Sequence, residues 1–179
     1  KYDPYPGRPH AEVDAGRFSF STDGKQLVTD FKGLNFTGIF LFDPSGRALE
    51  QIGKNDANSK FLEPVFSPDG TQLAFVAGHS HGPFCLYLLD LATRELKRLT
   101  SHEFTDFFPV FSPQGDKIYF IRHKKKCPNG RLCIYDGDFY CFDLKTNQEQ
   151  KLTNLRGGNF FFLHIFPDGQ RFMFCSDLL

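Results

Sequence analysis

One short phrase recurs along the chain: Phe20-Ser-Thr-Asp-Gly24, Phe66-Ser-Pro-Asp-Gly70, Phe111-Ser-Pro-Gln-Gly115 and a copy one residue shorter, Phe166-Pro-Asp-Gly169. After each glycine come two polar residues and an apolar run: Leu27-Val28, Leu73-Ala-Phe-Val76, Ile118-Tyr-Phe-Ile121 and Phe172-Met-Phe174. Further on, an aromatic or aliphatic run ends in Asp43, Asp90 or Asp143, and nine residues beyond each aspartate stands Ile52, Leu99 or Leu152. The glycine-to-glycine distances are 46, 45 and 54 residues. A period near 45 with several short strands inside it is the signature of a propeller blade. The expected fold is therefore all-β: a β-propeller of four-stranded antiparallel blades, with about three and a half blades in this chain.

The second copy shows why each segment takes its shape. Ser67-Pro68-Asp69-Gly70 is a turn, because Pro presets φ, Asp bonds its own backbone and Gly accepts positive φ. Gly70 and Gly115 are expected at positive φ. Phe61 to Phe66, Thr71 to Ala77, Phe84 to Leu91 and Glu95 to Thr100 read as four strands, with Gly78 to Pro83 a loop and Ala92-Thr93-Arg94 a short hairpin turn. The polar outer strand suits an edge that must resist pairing with other chains.

The same scan gives an N-terminal extension over 1–14, blades over about 15–54, 58–101 and 105–155, and a half-blade over 159–179. Two strands of the last blade are expected to leave an aromatic face that further blades of the same polypeptide or another subunit must cover. A longer propeller, a partner that completes this one, and a distorted small ring are the three accounts of that ending, the first being preferred.

Composition excludes some partners. Lys plus Arg equals Asp plus Glu, at 21 each, so bulk attraction to nucleic acid is not expected. No apolar run reaches the length of a transmembrane helix. The 23 Phe and absent Trp are expected to fill the spaces between face-packed sheets. Lys1 opens the chain without a signal peptide, as in a processed exported protein or an excised piece. The five Cys leave at least one unpaired within the chain. Cys127 and Cys133 flank a Pro-Asn-Gly turn and could close a small disulfide loop, and Asn35-Phe36-Thr37 matches a glycosylation sequon. These features lean towards an extracytoplasmic location.

The run Pro109-Val-Phe-Ser-Pro-Gln-Gly-Asp-Lys-Ile-Tyr-Phe120, with Asp143-Leu144-Lys145-Thr146 and Leu152-Thr153 after it, resembles the repeat of TolB-type propellers. Ser67-Pro-Asp-Gly70, Asp90-Leu-Ala-Thr93 and Leu99-Thr100 match it as well, and the resemblance runs from about Phe18 to Phe174. Phe replaces the usual Trp before the turn, Gln114 replaces Asp, and the fourth copy lacks the serine. The resemblance implies a periplasmic or secreted protein that serves as a docking scaffold, as the lid of a prolyl-oligopeptidase-like peptidase, or as part of a sugar-processing lyase. It carries no catalytic residue and no cofactor across.

The basic run Arg122-His123-Lys124-Lys125-Lys126, with Arg131, is expected on a projecting loop that could dock an acidic surface. His102, Glu103 and Asp106 lie in a connection of the kind that borders the axial channel of propellers, and could contact a glycan, a cation or another polar ligand. His79 and His81 form at most half of a metal site, so no metal is assigned. His164, among Phe162, Leu163 and Ile165, reads as a packed core histidine. There is no Gly-x-Ser-x-Gly elbow, phosphate loop or Cys-x-x-Cys pair. The expectation is a non-catalytic interaction module whose partners are other protein subunits or the remaining blades. The alternatives are the propeller portion of a larger peptidase or polysaccharide lyase, and a glycan or small-ligand binder.

Overall fold

The computed structural model describes residues 14–32, 37–53, 59–79, 82–101, 103–123, 137–155 and 160–176. These residues form antiparallel sheets in which chain neighbours are also sheet neighbours. The first sheet holds β1 (Asp14–Phe20), β2 (Leu27–Lys32), β3 (Thr37–Phe42) and β4 (Ala48–Ile52). The second holds β5 (Ser59–Phe66), β6 (Gln72–His79), β7 (Phe84–Asp90) and β8 (Leu96–Arg98). The third holds β9 (Thr105–Phe111), β10 (Lys117–His123), β11 (Gly137–Asp143) and β12 (Gln148–Lys151). The last described sheet pairs β13 (Phe160–Ile165) with β14 (Phe172–Ser176).

Alternate residues of one strand serve two different cores, because side chains in a strand point to opposite faces. In β6, Leu73, Phe75 and Ala77 join Val28, Ile39, Leu41 and Ile52 of the first sheet. Ala74 and Val76 of the same strand join Phe107, Phe111, Ile118 and Phe120 of the third sheet. Ile121, Phe139, Phe160 and Leu163 fill the space between the third sheet and β13. Phe75, Phe120 and Phe160 are fully buried, so phenylalanine does fill these spaces. The outer strands β8 and β12 are exposed along their whole length.

The Ser-Pro-Asp-Gly turns close by one bonding scheme. Ser67 Oγ donates to Asp69 Oδ1 at 2.6 Å and accepts from Gln72 N at 2.9 Å. Ser21 repeats this with Asp23 and Gln26. In the third copy Gln114 cannot take the aspartate's part, and Asp116 takes it instead: Ser112 Oγ donates to Asp116 Oδ1 at 2.9 Å. Gly70 and Gly115 both sit at φ +74°, as their turn positions require.

The fourth copy is not shortened, as the sequence suggested. Phe166 N donates to Arg171 O, as Ser67 N does to Gln72 O, so Phe166 occupies the serine position and Ile165 the preceding aromatic one. The four turns also touch in sequence order. Thr22 Oγ1 donates to Pro68 O, and a Cβ at Gly115 or Gly169 would lie 3.4 Å from Pro68 or 3.6 Å from Pro113.

One loop boundary differs from expectation. Gly78 and His79 continue β6, with Gly78 paired to Phe84. A Cβ at Gly78 would stand 2.3 Å from Pro83 O, so this glycine marks a close backbone approach inside a ladder.

Candidate functional site: the axial mouth

Each inner strand pairs with its neighbour out of register at one place: between Ala15 and Phe18, Leu62 and Val65, Phe107 and Val110, and Phe161 and His164. Three residues before the closing aromatic or aliphatic residue of each copy stand Arg17, Glu63, Phe108 and Phe162. Glu63, Phe108 and Phe162 adopt φ +56°, +56° and +55°, which side-chain-bearing residues seldom do. Such bulges re-aim a side chain out of the pleat. Pro64 and Pro109 follow two of them, where a missing N–H costs the ladder nothing.

The re-aimed residues converge on a cavity of about 630 Å³, lined by Gly16, Arg17, Phe18, Asp30, Leu62, Glu63, Phe108 and Phe162. Its walls therefore come from all four sheets. Phe108 N donates to Glu63 Oε2, and the Phe108 ring lies 5.8 Å from that of Phe162. The Arg17 guanidinium sits 5.6 Å over the Phe108 ring and donates from Nη2 to Leu163 O at 3.3 Å. Phe162 and Phe18 are 58% and 67% exposed, so apolar rings border the opening.

Charge in this cavity is poorly compensated. Burial pushes the Glu63 carboxyl up to about 7, against the Phe108 amide and the Arg17 charge, which pull it down. Burial also raises Asp30, opposed by the backbone amides of Asp30 itself, Glu63 and Arg17. It lowers Arg17, opposed by Glu63 and Asp30. Asp30 is only 7% exposed. Neither Asp30 Oδ1 nor Arg17 Nη1 has a hydrogen-bond partner among the described residues.

The residues singled out from sequence fare differently. Arg122 and His123 do not project on a loop: they end β10, 5% and 2% exposed. Asp106 is not in the connection but inside β9, fully buried and opposite Arg122. Arg122 Nε and Nη2 donate to the Asp106 oxygens at 2.7 and 3.0 Å, and Nη1 donates to Glu149. Phe104, Phe120 and Tyr140 lie 5.3, 5.2 and 4.7 Å from the guanidinium. Burial works against the Arg122 charge, but the Asp106 and Glu149 carboxylates outweigh it and hold the group protonated. This arrangement pins β9, β10 and β12 together.

Glu103 and His79 are exposed. His164 is exposed rather than packed in a core, because it faces away from the third sheet while Leu163 and Ile165 face it. Asn35, His81, His102, Lys124, Lys125, Lys126, Cys127, Arg131 and Cys133 lie outside the described residues. Among the described residues Cys141 and Cys175 are free thiols, Cys85 Sγ donates to Ser101 O at 3.4 Å, and no group of three metal-ligating side chains occurs. Among those residues, no helix is long and apolar enough to cross a membrane.

Sequence reading missed Arg17, Asp30, Glu63, Phe108 and Phe162. The available signal was the repeat itself: one position per inner strand changes from Arg to Glu to Phe, while the turn after it hardly changes.

No family profile matches the chain. The oligogalacturonate lyase of Dickeya dadantii is 38% identical over 64 residues, which is 35% of this chain and 16% of that protein. The Tol-Pal system protein TolB of Alcanivorax borkumensis is 29% identical over 76 residues, covering 42% of this chain and 17% of the relative. The crystal structure of TolB from Acinetobacter baumannii superposes with a TM-score of 0.67 at 20% identity, over 92% of this chain and 37% of that one. The chain thus spans well under half the length of each. Blade order, strand pairing and this superposition agree on one architecture: the fold is that of a TolB-like β-propeller.

Proposed function

We propose that the chain is a sector of a TolB-like propeller that serves as a non-catalytic docking module for other proteins in an extracytoplasmic assembly. The axial mouth carries this reading. There the inner strands abandon ladder geometry to present Arg17, Glu63, Phe108 and Phe162, and rings open to solvent flank them. Backbone held in sparsely populated conformations persists where function requires the side chain it aims. Exposed rings beside a buried charge are the composition of an interface hot spot. Lys124, Lys125, Lys126 and Arg131, with His102 and Glu103, supply further polar contacts in this proposal.

A photo-crosslinking residue placed at Phe162 of the full-length polypeptide tests it in the protein's own cells. The expected result is one discrete adduct with another polypeptide, and none from the same group at Lys97 on the outer strand β8. Equal labelling from both positions, or none from Phe162, overturns the reading.

The segment likeness to the Dickeya dadantii lyase favours a second reading, the propeller portion of an enzyme acting on acidic oligosaccharides. Incubation of the full-length protein with oligogalacturonate distinguishes the two. Growth of the ultraviolet absorbance of an unsaturated uronate establishes the enzyme and removes the non-catalytic module.

A further inference from the structure

We infer that the cavity between Asp30 and Glu63 is a receptor for an organic cation, an ammonium or guanidinium group, seated on the unpartnered Asp30 oxygen. The inference deepens the docking reading, since it names the chemistry the mouth would accept from a docked segment.

The first ground is hydrogen-bond accounting. Buried polar atoms in folded proteins are nearly all partnered, and an orphan asks for an explanation. Asp30 Oδ1 is such an orphan among the described residues, on a side chain more than nine-tenths buried that lines the cavity. The second ground is charge. Two carboxylates and one guanidinium face this space, and no ion pair joins Arg17 to Asp30 or Glu63 among the described residues. One added cation brings the ionised set to neutrality, and a carboxylate pairs best with a group that donates N–H bonds.

The third ground is the wall. The rings of Phe18, Phe108 and Phe162 line the same cavity, and Arg17 already lies over Phe108 as a cation over a ring. Space is sufficient, since about 630 Å³ lies within the range of small-ligand sites. Arg17 Nη1, itself without an acceptor among the described residues, faces the same set and suits a carbonyl adjoining the cation. Gly16 keeps the Asp30 carboxylate in place, since a Cβ there would fall 2.2–2.4 Å from its atoms.

Isothermal titration of the full-length protein tests this with N-acetyl-lysine amide, N-acetyl-arginine amide, n-butylammonium chloride, calcium chloride and the neutral N-acetyl-norleucine amide. Saturable binding of the lysine or arginine amide, with none of the norleucine amide or calcium, is expected. Butylammonium binding as tightly as the amides identifies the ammonium alone as the ligand; weaker binding places the amide carbonyl on Arg17. Asp30→Asn, with circular dichroism and melting unchanged, should weaken the lysine amide about tenfold or more, as loss of a charge-assisted bond does. Phe162→Ala removes an exposed ring from the cavity wall and should weaken it about threefold. No heat from any cation, calcium binding in their place, or undiminished affinity in folded Asp30→Asn overturns the inference. If the crosslink at Phe162 persists in that event, the docking reading stands without it; if both fail, both are lost.

Discussion

Gly70 stands at φ +74° with open space where a side chain would begin, so a substitution there meets no neighbour and strains only the backbone. Gly70→Val should therefore lower unfolding free energy by more than ~1 kcal/mol in chemical denaturation. Glu63 offers a residue-scale test with pH. Its carboxyl titrates near 7 in the fold against an ordinary 4.5, so folding takes up a proton between those values. Ionisation of Glu63 thus takes nothing from stability below pH 4.5 and withdraws it as pH rises from there through 7. Glu63→Gln, which keeps an acceptor for Phe108 N, should be no more stable than wild type at pH 4 and more stable at pH 8, read from urea midpoints. Turn residues such as Asp69 and Gly70 were legible in sequence because their own chemistry dictates their conformation. Glu63 was not legible, because its positive φ comes from the register shift between β5 and β6 and not from any preference of glutamate.

At the scale of the element, the β9–β10 turn shows how one position compensates another. Asp116 accepts from Ser112 Oγ and from Lys145 Nζ, replacing the aspartate that Gln114 displaced. Asp116→Ala should cost about 1 kcal/mol, and less in a Gln114→Asp background, so a double-mutant cycle should show coupling between the two. The third sheet has a stronger dependence. Arg122→Met leaves the Asp106 carboxylate buried without its partner, which should cost roughly 3–5 kcal/mol in denaturant unfolding, while Arg122→Met with Asp106→Leu should recover most of it. Strand positions were legible from the apolar runs after each glycine. The Arg122 pairing was not. A basic run beginning at Arg122 reads as solvated, and only the register of β9 against β10 reveals that its first member faces Asp106 inside the sheet.

At the scale of the molecule, each core cluster lies between consecutive sheets, so packing is passed from one blade to the next. Hydrogen exchange in the full-length protein should be slowest in β6, buried on both faces, and fastest in β14 among the described inner and second strands. The two ends of the row expose apolar side chains: Phe18 and Phe20 at one, Phe162 and Met173 at the other, all more than half exposed. The isolated 20.5 kDa chain should therefore self-associate in light scattering, and Phe20→Lys with Met173→Lys should reduce that association. A monodisperse monomer of 20.5 kDa would contradict the expectation. Blade rhythm made this much readable from the repeat, whereas the mouth depends on what four separate repeats place side by side. That separation has an evolutionary consequence. The bulge turns one side chain per blade towards the shared cavity, so drift at that position is less tightly coupled to the selection that holds the turn. Duplication or exchange of a whole blade would then rewrite a single letter of the rim and leave the scaffold intact.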